Sequence, residues 1–260
     1  FHNIQSVMQQ VKLHDHISFE NLKEDKIVVD SNNKDLAGKN NLAYKAAEIL
    51  KDRFNIKEGI RMNIEKNIPM AAGLGGGSSD AATALLVLNK QWKIKLNQKK
   101  LVEIGVKIGS DVPFFIVGKT ATVEGIGNKI KPIRKSFSMN VVLVNPGIKV
   151  STTQAYKQLD KFKAKDKSKK SITELIKAMG KKDVKKIAEN IHNDFDMMME
   201  KKYSIIKDIK TSFRKFDALN SMVAGSGPTV LGLYDSIYSA REAYFKFKDL
   251  YPFVYLTKTF

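Results

Sequence analysis

Ile68-Pro69-Met70-Ala71-Ala72-Gly73-Leu74-Gly75-Gly76-Gly77-Ser78-Ser79-Asp80 runs directly into Ala81-Ala82-Thr83-Ala84-Leu85-Leu86-Val87-Leu88. The two halves demand different backbones. Pro69 blocks a helix from forming across it, and the glycines at 73, 75, 76 and 77 supply angles that other residues avoid. From Ser78 the composition turns to strong helix formers. Ser78 or Ser79 is placed to cap that helix, and Asp80 falls in its first turn, where the helix dipole favours a carboxylate. Just ahead of the loop, Met62-Asn63-Ile64-Glu65 reads as a strand. Strand, glycine loop and helix N-terminus together aim several unpaired N–H groups at one point, an anion site whose commonest occupant is a nucleotide phosphate. Close packing of the strand on the helix would use the same glycines. The loop alone leaves both readings open.

The rest of the composition narrows the class. A chain of 260 residues, 43% of them hydrophobic, can bury one large core or two modest ones. No apolar run reaches membrane-spanning length and no signal peptide is visible, so a cytoplasmic protein with no membrane partner is expected. The absence of cysteine excludes disulfides and thiolate metal sites. A net charge of +18 would suit nucleic acid. The excess is mostly lysine scattered along the chain, however, without a recognition helix, zinc-finger spacing or an aromatic-basic single-strand motif. Solvated lysine faces explain it, and nucleic acid is not an expected partner. The sequence says nothing of oligomeric state.

Working outward, strands are expected near 1–11, 17–20 and 26–29, and Asn41 stands before a helix over 43–54. The glycine-loop helix should end near Trp92, and another helix covers 98–108. Ile108-Gly109-Ser110-Asp111-Val112-Pro113-Phe114-Phe115 then sets a carboxylate between a glycine turn and an apolar run that reads as a Pro-held strand. Asp111 either satisfies a local turn or accepts a proton from an alcohol attacking phosphorus. Strands over 120–127 and 138–144 precede Asn145-Pro146-Gly147, a break that divides the chain into domains 1–145 and 146–260. Beyond a lysine-rich loop at 161–170, helices are expected over 172–191, 195–200 and 205–216. Asn193-Asp194-Phe195-Asp196 reads as the start of a helix, without chemistry. Ala224-Gly225-Ser226-Gly227-Pro228-Thr229 is a tight hairpin turn between strands at 221–223 and 231–234. A helix over 236–250 and a strand over 254–256 close the chain.

Taken in order, Phe1-His2, the long glycine loop, Gly-Ser-Asp-Val-Pro-Phe-Phe and Gly-Ser-Gly-Pro-Thr resemble the motifs of the GHMP kinase superfamily, over essentially the whole chain. They look most like its branch whose substrate carries a cytidine diphosphate. The resemblance implies an α+β fold of two domains: an S5-like N-terminal domain that binds nucleotide and a ferredoxin-like C-terminal domain, with substrate between them. It implies ATP as phosphoryl donor, with Mg²⁺ expected, and a hydroxyl of a CDP-linked methylerythritol, an isoprenoid precursor, as acceptor. Pro69, Met70, Ala71, Ala72, Gly73, Leu74, Gly75, Gly76, Gly77, Ser78 and Ser79 would hold the phosphates, and Asn41 would lie beside adenine. Asp111 would be the catalytic base. Phe1 would stack on cytosine, His2 would pair with its edge, and Gly225 and Ser226 would line the substrate site. The family commonly has Tyr where Phe1 stands, and its catalytic lysine lies upstream of the position that Phe1 occupies. The alternatives are another kinase of the superfamily, acting on homoserine or mevalonate, and a catalytically silent binding protein.

Overall fold

A computed structural model describes residues 2–134, 138–162 and 171–260. It resolves into two compact units. The first comprises 1–10, 14–68 and 75–134, and the second 11–13, 69–74 and 135–260.

In the first unit, β1 (Ile4–Gln9), β2 (His16–Leu22) and β3 (Ile27–Ser31) lead into α1 (Leu42–Phe54) and β4 (Gly59–Glu65). Then follow α2 (Gly76–Gln91), α3 (Gln98–Ile108), α4 (Val112–Val117), β5 (Thr120–Gly125) and β6 (Lys129–Pro132). The strands form two three-stranded sheets, β2-β4-β3 and β1-β5-β6. β3 and β4 run parallel with α1 as the crossover, and the other pairings are antiparallel. Ala46, Ala47 and Leu50 of α1 and Ala81, Leu85 and Leu88 of α2 pack with Ile60, Met62 and Ile64 of β4 in the main core. The small residues on α1 and α2 let the helices lie close over the sheet.

α4 corrects one expectation. The run Val-Pro-Phe-Phe-Ile-Val is a short helix, not a strand. Phe114 packs with Ala121 and Val123 under one sheet, while Val112 and Ile116 join the main core. Both sides are buried, so no period shows in the sequence, and a continuous apolar run cannot then be told from a strand. Pro113 lies in the first turn, where its missing N–H is harmless, and Gly118 ends the helix at φ +79.

The second unit contains β7 (Asn140–Asn145), α5 (Thr152–Lys161), α6 (Ile172–Lys181), α7 (Val184–Asn190), α8 (Phe195–Lys202) and α9 (Ser204–Lys215). It closes with β8 (Asn220–Val223), β9 (Val230–Tyr234), α10 (Ile237–Lys248) and β10 (Phe253–Lys258). Its four-stranded sheet has the order β10-β7-β9-β8, all antiparallel. Reduced to β7-α9-β8-β9-α10-β10, this is the ferredoxin-like βαββαβ pattern. Because β7 lies inside that sheet, the chain divides before it, where the sequence break had suggested a division at 145/146. The helix expected over 172–191 is two: Lys182 turns left-handed at φ 55, and Asp183 caps α7 through the Lys186 N–H. Most of the lysine-rich 161–170 stretch lies outside the described residues.

Candidate active site

α2 begins three residues earlier than a cap at Ser78 would place it. Gly75 is the N-cap at φ 68, with no side-chain cap, and Gly76 is the first helical residue. The first intrahelical bond is from Ser79 N–H to the Gly75 carbonyl, 2.9 Å. Gly76, Gly77 and Ser78 therefore present N–H groups with no acceptor inside the helix. Ser79 does not cap; its hydroxyl donates to the Gly76 carbonyl at 2.7 Å. Upstream, Ala71 holds φ 51, a strain of roughly 1–2 kcal/mol for a residue with a Cβ.

Asp80 is not a solvated first-turn carboxylate. It is buried in the second turn and pairs with Lys66 Nζ at 2.8 Å. The same ammonium contacts Asp15, and the three side chains are 7% (Lys66), 1% (Asp15) and 6% (Asp80) exposed. Asp15 Oδ1 also accepts from the N–H groups of Asn67 (2.6 Å) and Ile68 (2.8 Å), the residues that lead out of β4 into the loop. Burial pushes Asp80 up to about 6, against the pull of Lys66. Sequence reading missed this cluster, because only the fold brings positions 15, 66 and 80 together.

Asp111 is close to the same helix end. A Cβ on Gly109 would lie 3.8 Å from Ser78 Oγ, and one on Gly75 would lie 2.8 Å from the Phe115 ring. The segment on both sides of Asp111 thus touches the start of α2. Asp111 stands at the N-cap position of α4 but makes no side-chain capping bond, so it is not a turn-capping residue. Its carboxylate accepts from the Ser110 hydroxyl, long at 3.4 Å, and among the described residues no cation pairs with it. Burial raises its carboxyl above the ordinary range, and Ser110 offsets this only in part.

The remaining expected residues fall in several places. Asn41 is the N-cap of α1, with Oδ1 accepting from Ala43 N–H and Nδ2 donating to the Leu36 carbonyl, both 2.8 Å. Its amide is largely engaged by its own fold. Phe1 lies outside the described residues, and His2 is exposed just before β1. β1 begins opposite Gly125, which leads into a turn whose Gly127 abuts the Ser110 carbonyl. His2 therefore lies at the Asp111 end of that sheet. In the second unit, Ser226 is buried with its Oγ 3.0 Å from that of Thr152. Pro69 to Leu74 pack in the same unit as the Gly225 turn: Thr229 N–H donates to the Ala72 carbonyl at 3.3 Å, and a Cβ on Gly73 would lie 2.2 Å from the Ala224 carbonyl.

Two family descriptions match this chain: GHMP kinases N terminal domain over residues 41–119 and GHMP kinases C terminal over 175–252. The chain belongs to the GHMP kinase family. It is similar to proteins named 4-diphosphocytidyl-2-C-methyl-D-erythritol kinase: 40% identical to that of Caldicellulosiruptor bescii, covering all of this chain and 90% of the relative. The protein of that name from Clostridium perfringens strain 13 is 39% identical, with the same coverage. Its fold is shared with a crystal structure of 4-(cytidine 5'-diphospho)-2C-methyl-D-erythritol kinase, with TM-score 0.83 and 24% identity over all of this chain and 91% of that one. A homoserine kinase from Cytophaga hutchinsonii aligns with TM-score 0.80 and 15% identity, over 98% of this chain and 88% of that one.

Proposed function

We infer that this chain transfers the γ-phosphoryl group of ATP to the 2-hydroxyl of 4-diphosphocytidyl-2-C-methyl-D-erythritol, a step toward isoprenoid precursors. Identity of 40% over all of this chain and 90% of a relative of that name supports the substrate. The observation that carries the chemistry is Asp111, a carboxylate that no cation among the described residues pairs with, beside a helix start whose first N–H groups have no acceptor within the helix.

Phosphoryl transfer asks mainly for positioning and for stabilisation of charge. The N–H groups of Gly76, Gly77 and Ser78 would hold phosphate oxygens, and the helix dipole would favour the charge that builds on them. Asp111 would accept the hydroxyl proton as oxygen bonds to phosphorus, while ADP leaves with the electrons of the broken P–O bond. A raised carboxyl makes a better proton acceptor. Phe1 and His2 are assigned to the cytosine ring, Gly225 and Ser226 to the substrate, and the second amide proton of Asn41 to the nucleotide.

Mg²⁺ fits the donor set in one way. Among the described residues no group of three or more acidic or histidine side chains could cage a metal. Mg²⁺ commonly rides on substrate phosphates with one or two protein oxygens, and the Ser78 hydroxyl, at the bare start of α2, is the oxygen we assign to it. Bound there, the ion would neutralise phosphate charge. A cytoplasmic location accompanies this reading, because ATP is regenerated there.

The test is ADP release with 4-diphosphocytidyl-2-C-methyl-D-erythritol, homoserine and mevalonate as separate acceptors. Turnover with the first alone is expected. Turnover with either of the others and none with the CDP compound would overturn the assignment.

A further inference from the structure

Asn193-Asp194-Phe195-Asp196, read from sequence as a plain helix start, does more than begin α8. The Asn193 amide nitrogen donates to two carbonyls, Val223 at 2.8 Å and Gly225 at 2.7 Å. Its Oδ1 accepts from the Phe195 N–H at 3.0 Å, which fixes the amide's orientation. Asp196 Oδ1 accepts from the Val223 N–H at 2.7 Å and lies 3.2 Å from Lys210 Nζ, which also pairs with Glu200 at 2.5 Å. Val223, the last residue of β8, is thus gripped at both its N–H and its carbonyl by side chains from one short stretch.

What they grip is the glycine turn between β8 and β9. Ala224 N–H donates to the Thr229 carbonyl, and Gly227 N–H to the Ala224 carbonyl. The opposite face of that turn meets backbone with no side chain between. A Cβ on Gly73 would lie 2.2 Å from the Ala224 carbonyl and 2.9 Å from that of Gly227, and one on Gly225 would lie 2.8 Å from the Gly73 carbonyl. Contact this close, between atoms that cannot rotate away, transmits displacement where flexible side chains would absorb it.

We propose that Asn193 and Asp196 are positioning residues that lock the glycine turn and, through its backbone contact with Ala72 and Gly73, hold the first half of the phosphate loop in its binding shape. The proposal rests on the reading of the Gly73 to Ser79 stretch as a phosphate loop. Neither side chain needs to touch nucleotide. Asn193 supplies the two donors that orient the turn's carbonyls, and Asp196 sets the end of the strand that feeds it. This would explain an Asn and an acid three residues apart at a helix start whose own N-cap residue, Asp194, makes no capping bond.

The test compares Asn193→Ala, Asp196→Ala, Asp196→Asn and Gly73→Ala for ATP binding by calorimetry, for KM and kcat, and for melting temperature. Asn193→Ala removes two neutral hydrogen bonds to the turn, so ATP affinity should fall roughly ten-fold or more, with KM for ATP rising more than KM for the acceptor. A purely structural role would lower melting temperature and leave that KM difference flat. Asp196→Ala removes the acceptor of the Val223 N–H and should weaken ATP as Asn193→Ala does, whereas Asp196→Asn keeps an oxygen there and should recover most of that loss. A folded Asp196→Ala with unchanged ATP affinity would overturn the role of Asp196. Gly73→Ala strikes the contact from the loop side and should weaken ATP in the same way, with the double variant little worse than either single one. If Gly73→Ala weakens ATP while folded Asn193→Ala does not, the clamp is overturned and the phosphate loop stands. If ATP affinity is intact in both, the phosphate-loop reading fails, and the role proposed for the clamp fails with it.

Discussion

Two aspartates of the first unit, Asp80 buried and Asp111 half-buried, stand at nearly the same helix end and are treated in opposite ways. Asp80 is given a counter-ion: Lys66 stands between it and Asp15, and Asp15 in turn accepts two backbone N–H groups. Asp111 is given one long hydrogen bond from Ser110 and, among the described residues, no cation. Burial raises both carboxyls. A charge that is buried and paired holds segments together, and here the segments are the chain before β2, the exit of β4 and α2. A charge that is buried and left unpaired is costly to keep, and is kept where chemistry needs a proton acceptor. The contrast separates scaffold from candidate catalyst without reference to any relative.

The sharpest way to break this contrast is Asp111→Asn. Loss of a general base typically lowers turnover roughly 10²–10⁴-fold, and removing an unpaired, half-buried charge should leave melting temperature level or higher. ATP affinity should hardly change. Turnover within a few-fold of the parent would return Asp111 to the scaffold. The acid limb of the parent's kcat/KM profile should also lie above the ordinary carboxylate range, since protonated Asp111 cannot accept a proton.

Lys66→Met attacks the other side of the comparison. It leaves two carboxylates buried against each other, and breaking such a pair costs about 3–5 kcal/mol. Urea denaturation should show that loss, and adding Asp80→Asn should recover part of it. A Lys66→Met protein as stable as the parent would mean that the cluster is not what ties the loop down.

Gly75→Ala couples the two regions at a smaller scale. The new Cβ would lie 2.8 Å from the Phe115 ring, in the Asp111 segment, at a residue held at φ 68. A left-handed Ala costs roughly 1–2 kcal/mol, so a lower melting temperature with a parallel fall in turnover is expected. A fall in stability with kcat intact would show that the two regions move independently.

The smallest effect is a slope with pH. Asp80 is raised from an ordinary value of 3.8 to about 6 in the folded state. The folded protein therefore binds that proton more tightly than the unfolded chain, and this contribution to stability grows as pH falls from 6 toward 4. Asp111 and Asp196 are raised as well and act in the same direction. Subtracting the profile of Asp80→Asn from that of the parent isolates the Asp80 share. No difference in slope between pH 7 and 5 would mean that Lys66 holds Asp80 near its ordinary value.

Much of this was legible in one dimension because the signals are local. The glycine loop, the helix behind it, the ferredoxin-like run of elements and the family motifs depend on residues adjacent in sequence, whose backbone preferences and periodicities act over a few positions. α3 is found at 98–108, as its amphipathic period requires. Other features could not be read that way. α4 looked like a strand because packing on both sides erased its period. Ser78 and Ser79 looked like caps, but a left-handed Gly75 starts α2 earlier and leaves its first turn without a side-chain cap. The pairing of Lys66 with Asp15 and Asp80, the lack of a cation beside Asp111 among the described residues and the grip of Asn193 on the glycine turn belong to tertiary structure alone. Each depends on which groups lie within about 3 Å across distant stretches of chain, a distance at which charge and hydrogen bonding act and which no spacing in the sequence encodes.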